Sequence, residues 1–196
     1  ILRFDKPPFY YWLMAIIYSL PGNQEWDELG SLSARLPSAL ASLILFLMIA
    51  DSIFYQQRSS KSKIYLALVA SLGFALSPLV IIWSRTAVSD SLLCATVGIS
   101  LLLFWRKFNE ENSQNCILPW FVLSLAILTK GPVAVVIVAL TIICFLSTQN
   151  NWKNLFFRIR PLQGVSITLL ISTPWYLIVF LKEGKTFLDS FFGYHN

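Results

Sequence analysis

Residues 117–146 read ILPWFVLSLAILTKGPVAVVIVALTIICFL, thirty mostly apolar residues broken once, in the middle, by Thr129-Lys130-Gly131-Pro132. The break predicts two short helices rather than one long span. Ile117–Thr129 and Pro132–Leu146 hold 13 and 15 residues, each nearer ~20 Å than the ~30 Å of a hydrocarbon core. A hairpin whose tip stays within the membrane's outer zone fits them, provided its backbone lines a cavity or packs on protein.

Composition agrees. The chain has 196 residues, 56% hydrophobic and only 13% charged, too apolar for a soluble domain of this length and typical of a multi-span membrane protein. The expected fold class is therefore all-α, a polytopic transmembrane bundle. Cys94, Cys116 and Cys144 are dispersed and suggest neither a disulfide framework nor a metal site. The sequence demands no metal and no cofactor. A net charge of +5 would suggest nucleic acid in a soluble protein. Here the basic residues sit in short loops between spans, and topology explains them without a nucleic-acid partner.

Working outward, the first full span is expected at Leu36–Tyr55, with Pro37 marking the first turn of its helix. The second is expected at Ile64–Ser84, kinked at Pro78, the third at Val88–Trp105, and the last at Leu162–Leu181 with Pro174 inside it. Residues 1–35 read as an outer loop with a juxtamembrane helix, 36–181 as membrane spans, and 182–196 as the start of another outer loop. The chain reads as an excerpt of a longer protein. Arg58, Lys61, Lys63, Arg106, Lys107, Lys153, Arg158 and Arg160 fall on one side, which should be cytoplasmic. Arg3, Lys6, Arg35, Arg85, Lys130, Lys182 and Lys185 then face outward, and anion binding explains them best, since Lys and Arg are the usual partners of phosphate.

Four stretches could carry chemistry. In Arg3-Phe4-Asp5-Lys6-Pro7-Pro8-Phe9-Tyr10-Tyr11-Trp12 the prolines hold Asp5 and Lys6 on a stiff, extended lead-in. Phe9–Leu20 then reads as an interfacial helix with Tyr10, Tyr11, Trp12 and Tyr18 at headgroup depth. The plain alternative is that Lys6 snorkels beside a buried helix and Asp5 neutralises it. In Trp83-Ser84-Arg85-Thr86-Ala87-Val88-Ser89-Asp90, an outward turn, Asp90 opens the next span. A helix N-terminus favours an acid there, and Ser89 could share the capping. Against a purely structural role stands depth, because ionisable residues near the membrane interior mark functional sites. Lys130 could cap the carbonyls ending its helix, or the Gly131-Pro132 break could expose it to a cavity. His195, in the terminal Phe191-Phe192-Gly193-Tyr194-His195-Asn196, carries little weight by itself.

In series, Asp5-Lys6-Pro7-Pro8 before Tyr11-Trp12, Ala34-Arg35-Leu36-Pro37-Ser38-Ala39, Arg85 with Asp90, Thr129-Lys130-Gly131-Pro132, and Pro174-Trp175-Tyr176 followed by His195-Asn196 resemble one family. It comprises membrane glycosyltransferases that take sugar from a polyprenyl-phosphate carrier, includes the lipid A aminoarabinose transferases, and is related to the protein O-mannosyltransferases. The resemblance implies a C-type glycosyltransferase fold with juxtamembrane helices over the spans and an active site facing away from the cytoplasm. It places the catalytic acid of a later span at Asp90 and puts the first acid upstream of Ile1. Lys6 and Lys130 are then expected to line the site for carrier phosphate and sugar, with Asp5 beside Lys6 and His195 nearby. Arg35 and Arg85 match motif positions without an assigned role.

The implied reaction is inverting displacement at the anomeric carbon. A carboxylate takes the acceptor's proton and cationic side chains stabilise the leaving phosphate. The implied partners are the polyprenyl-phosphate sugar, membrane lipids, and an acceptor lipid, protein or glycan. Two other classes stay open from spacing alone. A transporter or lipid flippase segment would use the broken hairpin as a substrate site. A structural subunit would pair its outer charges with each other and leave no cavity.

Overall fold

The computed structural model describes residues 6–20, 32–56, 62–109 and 116–184, and every regular element among them is a helix. In chain order these are α1 (Phe9–Tyr18), α2 (Leu32–Gln56), α3 (Ser62–Ala75), α4 (Pro78–Ser84), α5 (Ser89–Asn109), α6 (Ile117–Lys130), α7 (Val133–Ser147), α8 (Trp152–Arg158) and α9 (Pro161–Glu183). Three helical stretches are long and apolar enough to cross a membrane, and α3 with α4 makes a fourth if counted as one bent span. The expected all-α membrane bundle is the observed fold class.

The packing order follows from small residues. α2 lies between α3 and α5, α5 between α2 and α6, and α6 between α5 and α9. Between α2 and α5 the contact is built from Ser38, Ala41, Ser42, Leu45, Ser91, Leu92, Ala95 and Gly98. A Cβ on Gly98 would come within 2.9 Å of Leu45 Cδ1. Lipid gives little hydrophobic drive between spans, so such close backbone approach supplies van der Waals contact instead. A second core, with Phe104, Leu123, Ala126, Val138 and Ile142, joins α5, α6 and α7. Phe104 packs edge-on to Trp120, ring centroids 5.1 Å apart. A Cβ on Gly164 would fall 1.9 Å from the Trp120 ring, so this glycine is what lets α9 reach α6.

Several boundaries moved. α2 begins at Leu32, a turn earlier than expected, so Pro37 sits inside the helix rather than opening it, and Arg35 is helical. Pro37 lacks only the N–H that would have met Ser33 C=O, a cost confined to the early turns. At Pro78 the second span breaks by 64° into two helices rather than kinking gently. The cationic stretch after α7, expected to be a short loop, forms the helix α8.

α6 and α7 are the two short helices expected. The register of α6 on α5 is set by two contacts: Ser100 Oγ donates to Pro119 C=O at 3.0 Å, and Lys130 pairs with Asp90. The hairpin tip is therefore level with the first turn of α5. The shortfall lies at the other end, where Arg158 donates to Phe108 C=O (2.9 Å) and Trp120 Nε1 to Ile159 C=O (2.8 Å). These bonds place Arg106, Lys107, Arg158 and Arg160 at one end of the bundle, and Arg35, Arg85, Asp90 and Lys130 at the other, the division expected of the loops.

Candidate functional site at the Asp90 end

Asp90 stands in the first turn of α5 and Lys130 is the last residue of α6. Each charge suits its helix terminus, an anion at the positive end and a cation at the negative end. Because the helices are antiparallel, the two termini meet and the Lys130 ammonium donates to the Asp90 carboxylate. Both side chains are partly sheltered, 40% and 32% exposed. Of the two readings of Lys130, a carbonyl cap or a group turned to a site, the partner found is a carboxylate of another helix.

The geometry of Lys130 depends on Gly131. This residue has φ 91° and ψ −159°, a backbone region open in practice to glycine alone. Its N–H closes α6 on Ile127 C=O at 2.8 Å, and Pro132 then opens the turn into α7. The motif thus ends one helix, starts the next and leaves the lysine at the tip.

Above the pair lies a cluster of hydroxyls that the sequence reading did not single out. Tyr10 of α1 is 4% exposed, with its phenol oxygen 3.0 Å from both Ala34 C=O and Ser38 Oγ of α2. Ser38, fully buried, donates to Val88 C=O at 3.0 Å. Ser91 Oγ donates to Ser38 C=O at 2.8 Å and lies 2.9 Å from Ser42 Oγ. Burial raises the Tyr10 pKa above its ordinary 10.0, an effect opposed by the Ser38 hydrogen bond, so the phenol remains a donor at neutral pH. Tyr10, expected at headgroup depth with Tyr11, Trp12 and Tyr18, is instead buried against α2. The rest of the cluster shows in the sequence as Ser38 and Ser42 at helical spacing, with Ser89 and Ser91 opening α5. Ser89, read as a possible cap, instead buries a hydroxyl with no hydrogen-bond partner.

The remaining expected site residues divide. Lys6 is exposed beside buried Pro7 and Pro8, and leads directly into α1. Arg35 and Arg85 are exposed at the same end of the bundle, Arg85 in the turn between α4 and α5. Asp5 and His195 lie outside the described residues. Along α6 and α9 runs an apolar groove of about 570 Å³, lined by Trp120, Ile127, Pro132, Thr168, Tyr176 and Phe180 among others. Tyr176 closes one wall by donating to Ile127 C=O at 3.1 Å. A purely structural subunit was expected to pair its outer charges and leave no cavity; the pair is present, and so is a groove.

Residues 5–178 match the family model described as dolichyl-phosphate-mannose-protein mannosyltransferase. An uncharacterized protein of Aquifex aeolicus is 32% identical over 194 residues, 99% of this chain and 40% of the relative. The undecaprenyl phosphate-alpha-4-amino-4-deoxy-L-arabinose arabinosyl transferase 1 of Pseudomonas fluorescens is 27% identical over 190 residues, 93% of this chain and 32% of the relative. Crystal structures of ArnT from Cupriavidus metallidurans, in the apo state and bound to undecaprenyl phosphate, have TM-scores of 0.81 and 0.80 with 23% and 22% identity. Each covers 98% of this chain, which spans 34% of ArnT. The chain thus corresponds to less than half the length of these relatives, and it shares the fold of the matching part of ArnT.

Proposed function

Because the chain belongs to the dolichyl-phosphate-mannose-protein mannosyltransferase family, we propose that it forms part of a membrane glycosyltransferase that moves sugar from a polyprenyl-phosphate carrier to an acceptor hydroxyl or phosphate. The Asp90–Lys130 pair carries this reading: one carboxylate and one ammonium, held together where two helix termini converge. The relatives' names support the donor class, since the Pseudomonas enzyme is named for undecaprenyl phosphate.

Asp90 accepts the proton of the acceptor hydroxyl as that oxygen attacks the anomeric carbon, and the configuration inverts. Lys6 and Lys130 bind the carrier phosphate, with Asp5, His195, Arg85 and Arg35 as further substrate-binding groups. A phosphate offers Lys130 a second anion, so substrate entry and release of Asp90 from its ion pair are one event. Charge grows on the phosphate as the glycosidic bond breaks, and interactions that strengthen at that point lower the barrier. The apolar groove reaches Pro132, next to the hairpin tip, and gives the prenyl chain of a phosphate held at Lys130 a path along α6 and α9. The site lies on the extracytoplasmic face of the inner membrane, the side opposite the helix ends carrying Arg106, Lys107 and Arg158.

The test is transfer of labelled sugar from polyprenyl-phosphate donors to membrane acceptors by the full-length protein and its Asp90→Asn variant. Transfer that vanishes in the variant supports both the class and the residue. A folded protein that binds polyprenyl phosphate but transfers nothing from any donor would favour a lipid carrier or transporter.

A further inference from the structure

The helix α1 has ten residues, too few to be stable in isolation. Its only fully buried residue is Tyr10, while Tyr11, Trp12 and Ile16 are 47%, 50% and 60% exposed. Phe9, Leu13 and Met14 pack partly buried against the same core, and Tyr10 adds the directional polar contact described here between α1 and α2. The Tyr10 phenol meets α2 at two atoms, Ala34 C=O and Ser38 Oγ. Ser38 in turn holds Val88 C=O, two residues before Asp90, and Ser91, one residue after it, holds Ser38 C=O. Lys6 is joined to α1 through Pro7 and Pro8, both buried and both fixed in φ. A displacement of α1 is thus carried to Lys6 with little slack.

We infer that Tyr10 and Ser38 are positioning residues: a hydroxyl clasp that fixes the juxtamembrane helix, and with it Lys6, relative to the turn that carries Asp90. The role rests on the reading of Lys6 and Asp90 as donor-site residues. Neither Tyr10 nor Ser38 touches the reacting atoms in this account. They set the separation of two groups that come from elements with no other rigid connection in sequence, α1 and α5. Loosening that placement weakens donor binding by the free energy the clasp supplies to it.

The experiment uses the full-length protein in lipid nanodiscs, with Tyr10→Phe, Ser38→Ala, the double variant, and Arg106→Gln as a control at the far end of the bundle. Amide hydrogen exchange of residues 9–18 and the steady-state KM and kcat for the polyprenyl-phosphate sugar are measured on each. Each single variant should speed α1 exchange and raise donor KM by about 5-fold, the scale of one lost net hydrogen bond, with kcat changed less than about 2-fold. The double variant should be no worse than about either single one, because the two hydroxyls act as one unit, and Arg106→Gln should move neither readout. Unchanged exchange in both single variants would overturn the clasp. Faster exchange with unchanged KM would also overturn it, leaving the hydroxyls a purely structural role. If the wild-type protein transfers no sugar from any donor, the transferase reading falls, and exchange alone then decides whether the clasp holds α1.

Discussion

Among the described residues the two ends of this bundle each carry one ion pair between helices, yet the pairs differ in their settings. At one end Arg106, its side chain 18% exposed, reaches the 62% exposed Asp51 at 2.6 Å and also donates to the buried Ser52 Oγ at 3.2 Å. The same guanidinium lies 5.2 Å from the Tyr55 ring centroid. At the other end Asp90 and Lys130 are both partly sheltered, sit on opposed helix termini, and are bordered by a glycine-only backbone turn and a cluster of buried hydroxyls. The far pair ties α5 to α2 through side chains alone, whereas the Asp90–Lys130 pair joins two helix termini whose dipoles favour it. The comparison teaches that the charge pair is not the distinguishing feature; the investment of special backbone and buried polar groups is.

The comparison breaks most sharply at Asp90. Asp90→Asn should lower sugar transfer by about 10²-fold to 10⁴-fold, the usual worth of a positioned base, while membrane insertion measured by protease protection is unchanged. Wild-type rates in this variant would make the two ends equivalent. Lys6→Ala should also lose most turnover, about 10²-fold if Lys6 stabilises the leaving phosphate. Lys130→Met should cost about 10-fold or more by the same electrostatic argument, with carrier binding weakened as well.

Backbone changes sharpen the contrast on a smaller scale. Gly131→Ala forces a side chain into a region that costs on the order of 1–3 kcal/mol, and thermal unfolding in detergent should shift down accordingly. Gly164→Ala should separate α6 from α9 at Trp120, visible as a red shift of tryptophan emission, since no van der Waals contact survives at 1.9 Å. The smallest effect on transfer is expected for Arg106→Gln at the far end, which should leave the transfer rate unaffected. A loss of transfer there would show that the far end also serves the reaction.

The sequence was most legible where one residue type has a single physical reading. Long apolar runs identified the spans, and Gly131-Pro132 identified the break, because glycine and proline act on their own backbone. Asp90 and Lys130 were legible as charges in apolar surroundings. Their partnership was not: the two are forty positions apart, and only the antiparallel register of α5 and α6 brings them together. The early start of α2 was hidden because Pro37, a frequent first-turn residue, is also tolerated a turn further in. The clasp was hidden for a different reason. Serines in apolar helices often satisfy themselves on their own backbone, as Ser71 does on Ala67 C=O, so nothing local marks Ser38 as bridging three elements.

By itself, then, the sequence determined an all-α membrane bundle, its spans and its broken hairpin, since each of these follows from the hydropathy and backbone preferences of consecutive residues. Only the tertiary structure decided which charge meets which and which hydroxyls join α1, α2 and α5. Those contacts depend on helix register and approach distance, which in a bilayer are set by small-residue packing between distant segments.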